Sequence, residues 1–484
     1  MGERANDGIF DAPQGDTSKT TAPPPPRRGH GLRPFSGMIS DVKARAPYYL
    51  SDWTDAWTYR VVPATAMIFF ANVLPGIAFS LDLIETTSQY GVTEVLMSSF
   101  MAAFIFSVFS CQPLCISGVT GPITVLNKTI YDILKSREDA PEYLHFIGWV
   151  YLWAAIMHWI AAAMNAANFL RYVTRFSCDT FGFYVAWVYL QYGVQVITRQ
   201  LPMEDSSSVF VSIILALTML ATGHLFGILA RSDLGHRVVR RFFADYGMPI
   251  SVVVCTGLAY WGRFNLANPL TLPTSGAFSP AGGRPWLVKF WELDGKWVGI
   301  AFPFGFVLFI LFYFDHNVSS LIAQGSEFPL RKPPGFHWDF FWLGISTLIA
   351  FVAPNSFLSE TLLTVERFRG LLGIPAPNGL IPQAPMHTES LVIMGVRRKG
   401  DVEKSSTSGA DQREGYELHE PQNYEPHQSR DVTETSTLIE EHPIAVVEQR
   451  VSNLTQGVLC LVLMTGPFQR FLGLVPRGVL AGLL

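Results

Sequence analysis

Two stretches of this chain break apolar sequence with prolines and glycines where a membrane-crossing helix would otherwise continue. The first runs Gln112-Pro113-Leu114-Cys115-Ile116-Ser117-Gly118-Val119-Thr120-Gly121-Pro122, and the second Pro375-Ala376-Pro377-Asn378-Gly379-Leu380-Ile381-Pro382-Gln383-Ala384-Pro385. Each leads into a short apolar run that can start a helix partway into a bilayer. The beginning of such a helix presents unbonded N–H groups and the positive end of its dipole, which suits an anion. Paired interruptions of this kind point to a transporter's substrate site. Gly121-Pro122 is an efficient helix start, because proline at the first helical position lacks an N–H that would be orphaned anyway. Thr120 and Thr124 add hydroxyls beside those amides, and Gln383 stands at the entrance of the second partial helix. Read singly, either break is also compatible with a turn-rich loop between spans; together they favour the half-helix reading.

A third element is Asp315, inside Phe312-Tyr313-Phe314-Asp315-His316-Asn317-Val318-Ser319-Ser320. An ionisable residue within apolar sequence is expensive and marks a functional site by default. Helical spacing puts Asp315 and Ser319 on one face. The alternative places Asp315 at the membrane surface, but the apolar run before it favours a deeper position. A carboxylate beside an anion site repels the anion unless protonated or paired, so Asp315 is a candidate for proton coupling or gating. The candidate substrate-binding residues are therefore Gln112, Thr120, Gly121, Thr124, Asp315, Asn317 and Gln383.

These residues need a membrane around them, and the composition supplies one. Of 484 residues 49% are hydrophobic and only 15% charged, against roughly 25% charged in an ordinary soluble domain. Spans are predicted at 60–84, 93–111, 145–166, 178–197, 208–230, 247–262 and 298–323, with shorter or broken apolar stretches at 122–134, 339–352, 371–396 and 451–466. A short interfacial helix is expected over 36–50. Residues 1–35 are polar and proline-rich and read as a disordered N-terminus without a signal peptide. Residues 397–449 read as a disordered loop, either a plain linker or a regulatory segment open to phosphorylation. Arg27, Arg28, Arg33, Lys43 and Arg45, then Arg231, Arg237, Arg240 and Arg241, then Arg397, Arg398 and Lys399 place the N-terminus and both later clusters on the cytoplasmic side. The scattered cysteines form no CxxC pair or framework. No Walker motif, zinc spacing or nucleophile elbow is present, so neither an enzyme nor a cofactor is expected, and no nucleic-acid partner. Three glycosylation-like sequons, at Asn127, Asn317 and Asn453, are discounted because of where they fall.

At these residues the chain resembles a known family. The stretch 112–122, Asp315 to Ile322, Lys332 to Asp339, Gly373 to Pro385 and Val447 to Val451 look like the bicarbonate/borate anion-transporter family, nearest its borate-exporter branch, over residues 36–484. The resemblance implies an all-α polytopic membrane protein with an inverted-repeat transporter fold of seven plus seven segments, divided into core and gate domains and usually dimeric. It implies half-helices at the third and tenth segments, starting near Gly121 and Gln383, with Asp315 at the acidic position of the eighth. On that pattern 36–230 holds segments 1–6 and 231–396 segments 7–10, with 351–369 an insert foreign to the family. Residues 450–484 hold segment 11 and the start of 12, where the family pattern is cut short. The implied activity is export of borate at the plasma membrane by alternating access. The alternatives are exchange of bicarbonate or another small anion, or a transport-defective truncated chain acting as a membrane scaffold.

Overall fold

The computed structural model describes residues 33–114, 116–201, 206–232, 236–274, 276–281, 288–323, 330–352, 392–398 and 439–484. The principal helices are α1 (Ser36–Arg45), α2 (Val61–Thr87), α3 (Val92–Phe109), α4 (Gly121–Lys135), α5 (Tyr143–Ala163), α6 (Arg175–Thr198), α7 (Ser206–Arg231), α8 (Arg237–Ala259), α9 (Gly295–Ala323), α10 (Phe336–Val352), α11 (Val451–Leu463), α12 (Gly466–Leu472) and α13 (Arg477–Leu483). Strands β1 (Val392–Arg398) and β2 (Ile439–Val446) form one antiparallel ribbon. Among the described residues six helices are long and apolar enough to cross a membrane, or seven if α11 and α12, bent by 95°, count as one span.

The helices form two groups. In the first, α5 packs on α9 and α10, α3 on α11, and α2 on α3, α4 and α11. In the second, α7 packs on α8 and α13, and α13 on α6. These are the core and gate of a transporter fold. They meet where α2 and α4 of the core lie against α6, α8 and α13 of the gate. The core has the deeper interior, where Ile77, Phe79, Leu83, Leu96, Val150 and Phe312 are sealed from solvent. The gate helices turn large apolar side chains outward, with Phe210 64% and Ile228 63% exposed. Such faces suit lipid or an apolar protein partner rather than water.

The predicted spans correspond to α2, α3 and α5 to α9, and three details differ. α8 begins at Arg237, well before the predicted 247, because His236 accepts the Val238 N–H at 3.3 Å and caps the helix start. Arg237, Arg240 and Arg241 thus lie in its first turns rather than in a loop. The stretch read as disordered, 397–449, is ordered at its ends. β1 and β2 pair with Val392 opposite Val446 and Arg398 opposite Ile439, as β-branched sequence at both ends favours. β1 also ends the apolar stretch 371–396 early. The proposed insert 351–369 is described only at Phe351 and Val352, which continue α10; the rest of it, the second break at 375–385 with Gln383, and residues 1–32 lie outside the described residues.

Candidate anion site

α4 is a half-helix. Its 15 residues rise about 22 Å, short of the roughly 30 Å of a hydrocarbon core. Thr120 is extended, with φ −116° and ψ 149°, and Gly121 and Pro122 open the helix. A Cβ at Gly121 would lie 2.6 Å from Val188 Cγ1 and 3.2 Å from Phe79 Cε1. Only glycine lets the mouth of α4 sit this close to the gate helix α6 on one side and α2 on the other. Pro122 has no N–H, and the Thr124 N–H reaches Thr120 O at 3.3 Å. Among the described residues, the amides of Gly121 and Ile123 are therefore the mouth's backbone donors not taken up by the helix.

A chain crossing lipid outside helix or sheet must have its backbone satisfied by protein. Here a ladder of buried amides does this for the extended residues before α4. Asn72 Nδ2 donates to Ser117 O at 2.7 Å and to Gln456 Oε1 at 3.1 Å. Gln456 Nε2 donates to Asn453 Oδ1 at 2.7 Å and to Ser117 O at 3.3 Å. Asn453 Oδ1 accepts the Ser117 N–H at 3.3 Å, while its Nδ2 donates to Ser107 Oγ at 2.9 Å. Gly118 packs against the Asn72 amide with no room for a side chain. Helices α2, α3 and α11 thereby hold one irregular strand.

The far end of the same connection is held electrostatically. Asp339, in the first turn of α10, accepts the N–H groups of Cys111 and Gln112, the latter at 3.0 Å. Arg450 donates to Ser107 O at 3.1 Å and Ser110 O at 2.6 Å, placing a cation at the C-terminus of α3. Arg450 is itself paired with the fully buried Asp52 at 2.8 Å, which also binds Arg45 at 2.7 Å and Lys332 at 2.8 Å. Three cations around one carboxylate satisfy a charge that could not be buried alone. Glu448 accepts the N–H groups of Arg331 and Lys332 at 2.6 and 3.2 Å, and burial still pushes its carboxyl above the ordinary range. Asp41 of α1 accepts the N–H groups of His337 and Trp338 at 2.7 and 3.2 Å, capping α10 from outside; burial outweighs those bonds and lifts it to about 7. α1 is thus docked into the core through Asp41 and the buried Arg45 as well as through Met38.

The structure sorts the sequence candidates. Thr120 and Gly121 stand at the mouth of α4, and both are buried. Thr124 also lies there, but its hydroxyl proton turns back to Thr120 O at 3.0 Å, leaving an acceptor where an anion needs a donor. Asp315 is 5% exposed and sits about 12 Å of helix rise before the end of α9, so protein rather than solvent surrounds its carboxylate. Asp315 lies within electrostatic reach of Tyr189 on α6. Asn317 does not follow it: its Nδ2 bonds Tyr313 O at 2.9 Å on its own helix. Gln112 is fixed against the first turn of α10 by its backbone, at the opposite end of the connection from Gly121. Sequence reading passed over Asn72 and Gln456, met Asn453 only as a sequon, and met Arg450 only inside the 447–451 stretch. A lone asparagine in the middle of 60–84 was a readable signal, since polar groups in spans rarely lack a role.

A short helix aimed from mid-core at a core–gate interface, with a buried carboxylate nearby, defines a membrane anion carrier of the core-and-gate type. The chain matches the model of the HCO3- transporter integral membrane domain over residues 33–204 and 190–357, and it belongs to that family. It is 42% identical to a Schizosaccharomyces pombe protein described as a transporter, covering 93% of this chain and 76% of that protein. It is 38% identical to Boron transporter 1 of Saccharomyces cerevisiae, covering 92% of this chain and 68% of that protein. Among solved structures it is similar in fold to the murine Solute Carrier 26 family member A9 anion transporter, with TM-score 0.50 and 13% identity over 92% of this chain and 62% of that one.

Proposed function

We propose that this chain exports borate across the plasma membrane by alternating access, its core moving against its gate. The observation that carries the reading is the mouth of α4, where Gly121 abuts Val188 of α6 and Asp315 lies within electrostatic reach of the neighbouring Tyr189. Boric acid, largely neutral near pH 7, becomes the tetrahedral anion by binding water oxygen and releasing a proton. A site of backbone donors favours the anion over the neutral acid. Asp315 is the group that takes up or passes the released proton. Similarity to a protein named as a boron transporter supports borate as the cargo. The family's bicarbonate description favours, as second reading, exchange of bicarbonate through the same mouth. We further propose a cytoplasmic N-terminus and a homodimer.

Intracellular boron in cells lacking their own exporter tests the cargo. Expression of the chain should lower boron after a borate challenge. Boron unchanged, with bicarbonate flux raised, would establish the second reading instead.

A further inference from the structure

Among the described residues, the core–gate contact beside the α4 mouth includes a polar side chain with no role so far. Tyr189 lies on α6, the residue after Val188, which abuts Gly121. Its ring stands edge-on against Phe79 with centroids 4.5 Å apart, and Phe79 also borders Gly121. The Asp315 carboxylate lies within electrostatic range of its hydroxyl. Buried tyrosines of the core commit their hydroxyls to the protein: Tyr143 to Asn127 O at 3.1 Å, and Tyr151 to Asn127 Nδ2 at 3.0 Å. The Tyr189 hydroxyl makes no hydrogen bond to any described residue, and the side chain is only half-buried.

We propose that Tyr189 is a substrate-contacting residue contributed by the gate, its hydroxyl bonding the anion held at the α4 mouth. The assignment rests on the anion-carrier reading above. The chemistry fits a hydroxylated oxyanion: a phenol O–H donates to an anionic oxygen and also accepts from a substrate hydroxyl. Phe79 fixes the ring, so the hydroxyl is placed with little entropy left to lose. Because the mouth belongs to the core and Tyr189 to the gate, the full set of donors assembles only when the two groups are docked as seen here. Substrate held by both groups would therefore favour the docked arrangement.

The test is Tyr189→Phe in liposomes containing the purified full chain, with borate flux measured against concentration and Tyr184→Phe, on the exposed part of α6, as the control. The phenylalanine keeps the ring contact with Phe79 and removes only the oxygen. KM for borate should rise about ten-fold or more, the loss expected for a hydrogen bond to a charged group, with the maximal rate changed less and the control unaltered. The protective shift of thermal unfolding by borate should move to higher borate by the same factor. Wild-type KM and protection in Tyr189→Phe would overturn the assignment while leaving the transport reading intact. If the unaltered chain moves bicarbonate and not borate, the borate reading fails, and the same comparison made with bicarbonate decides Tyr189 in the same way.

Discussion

Gly118→Ala offers a sharp test of how the broken segment is held. A Cβ at this position would overlap Asn72 Oδ1 and lie 2.6 Å from Asn72 Cγ and 2.8 Å from Nδ2. Asn72 would have to swing away, breaking its bonds to Ser117 O at 2.7 Å and Gln456 Oε1 at 3.1 Å. Buried polar groups left unsatisfied cost roughly 1–3 kcal/mol each, so two bonds correspond to about 2–6 kcal/mol. That is a large share of the roughly 5–15 kcal/mol that keeps a protein folded. Thermal unfolding of the purified chain should fall by roughly 2–6 °C, and anion flux should drop with it. Asn72→Ala combined with Gly118→Ala should be no worse than Asn72→Ala alone, because the obstruction is gone. Wild-type stability in Gly118→Ala, or costs that simply add in the double variant, would refute the amide ladder as the support of the α4 mouth.

Other expectations follow from single groups. Asp82 of α2 binds Lys128 at 2.8 Å and, across the core–gate boundary, Arg199 at 2.7 Å; Glu85 pairs with Arg477 of α13 in the same region. Asp82→Asn should favour separation of the two groups by about 1–2 kcal/mol, discounted for the partly exposed cations. The labelling rate of a Thr120→Cys reporter from the Thr87 side should rise roughly 5–30-fold, and an unchanged rate would count against a cross-boundary latch. Asp315→Ala should abolish borate flux or remove its dependence on a proton gradient, and unaltered flux would take Asp315 out of the mechanism. Asp41 sits near 7 in the folded chain, well above its unfolded value. The native state therefore binds the extra proton, and stability should fall as pH rises from about 4 to about 7. Asp41→Asn keeps an acceptor for the α10 amides and should flatten that slope; a slope identical to wild type would remove Asp41 as its source.

Much of the architecture was readable because lipid imposes length and hydropathy. The spans at α2, α3, α5, α6, α7 and α9 were found within a few residues, and the start of α4 at Gly121-Pro122 was placed by proline and glycine chemistry alone. Asp315 was recognised by charge in apolar context, and the structure buries it. What escaped was long-range pairing. Asn72 and Gln456 are 384 residues apart in sequence, and Arg450 reaches Asp52 across 398, so no local pattern joins them. Asn453 was seen only as a sequon to discount, although its side chain closes the ladder. The side-chain bonds of Asn317 and Thr124 to backbone of their own helix segment escaped for another reason: such bonds compete with outward binding, and spacing cannot tell which wins. The β ribbon escaped because β1 falls inside an apolar stretch read as a broken span, while Glu440, Glu441 and His442 made β2 read as loop.

The most direct test is borate flux into liposomes holding the purified chain. Flux that saturates with borate and falls to background in Asp315→Ala is expected. Flux in the unaltered chain no faster than through empty liposomes would contradict anion transport through the α4 mouth.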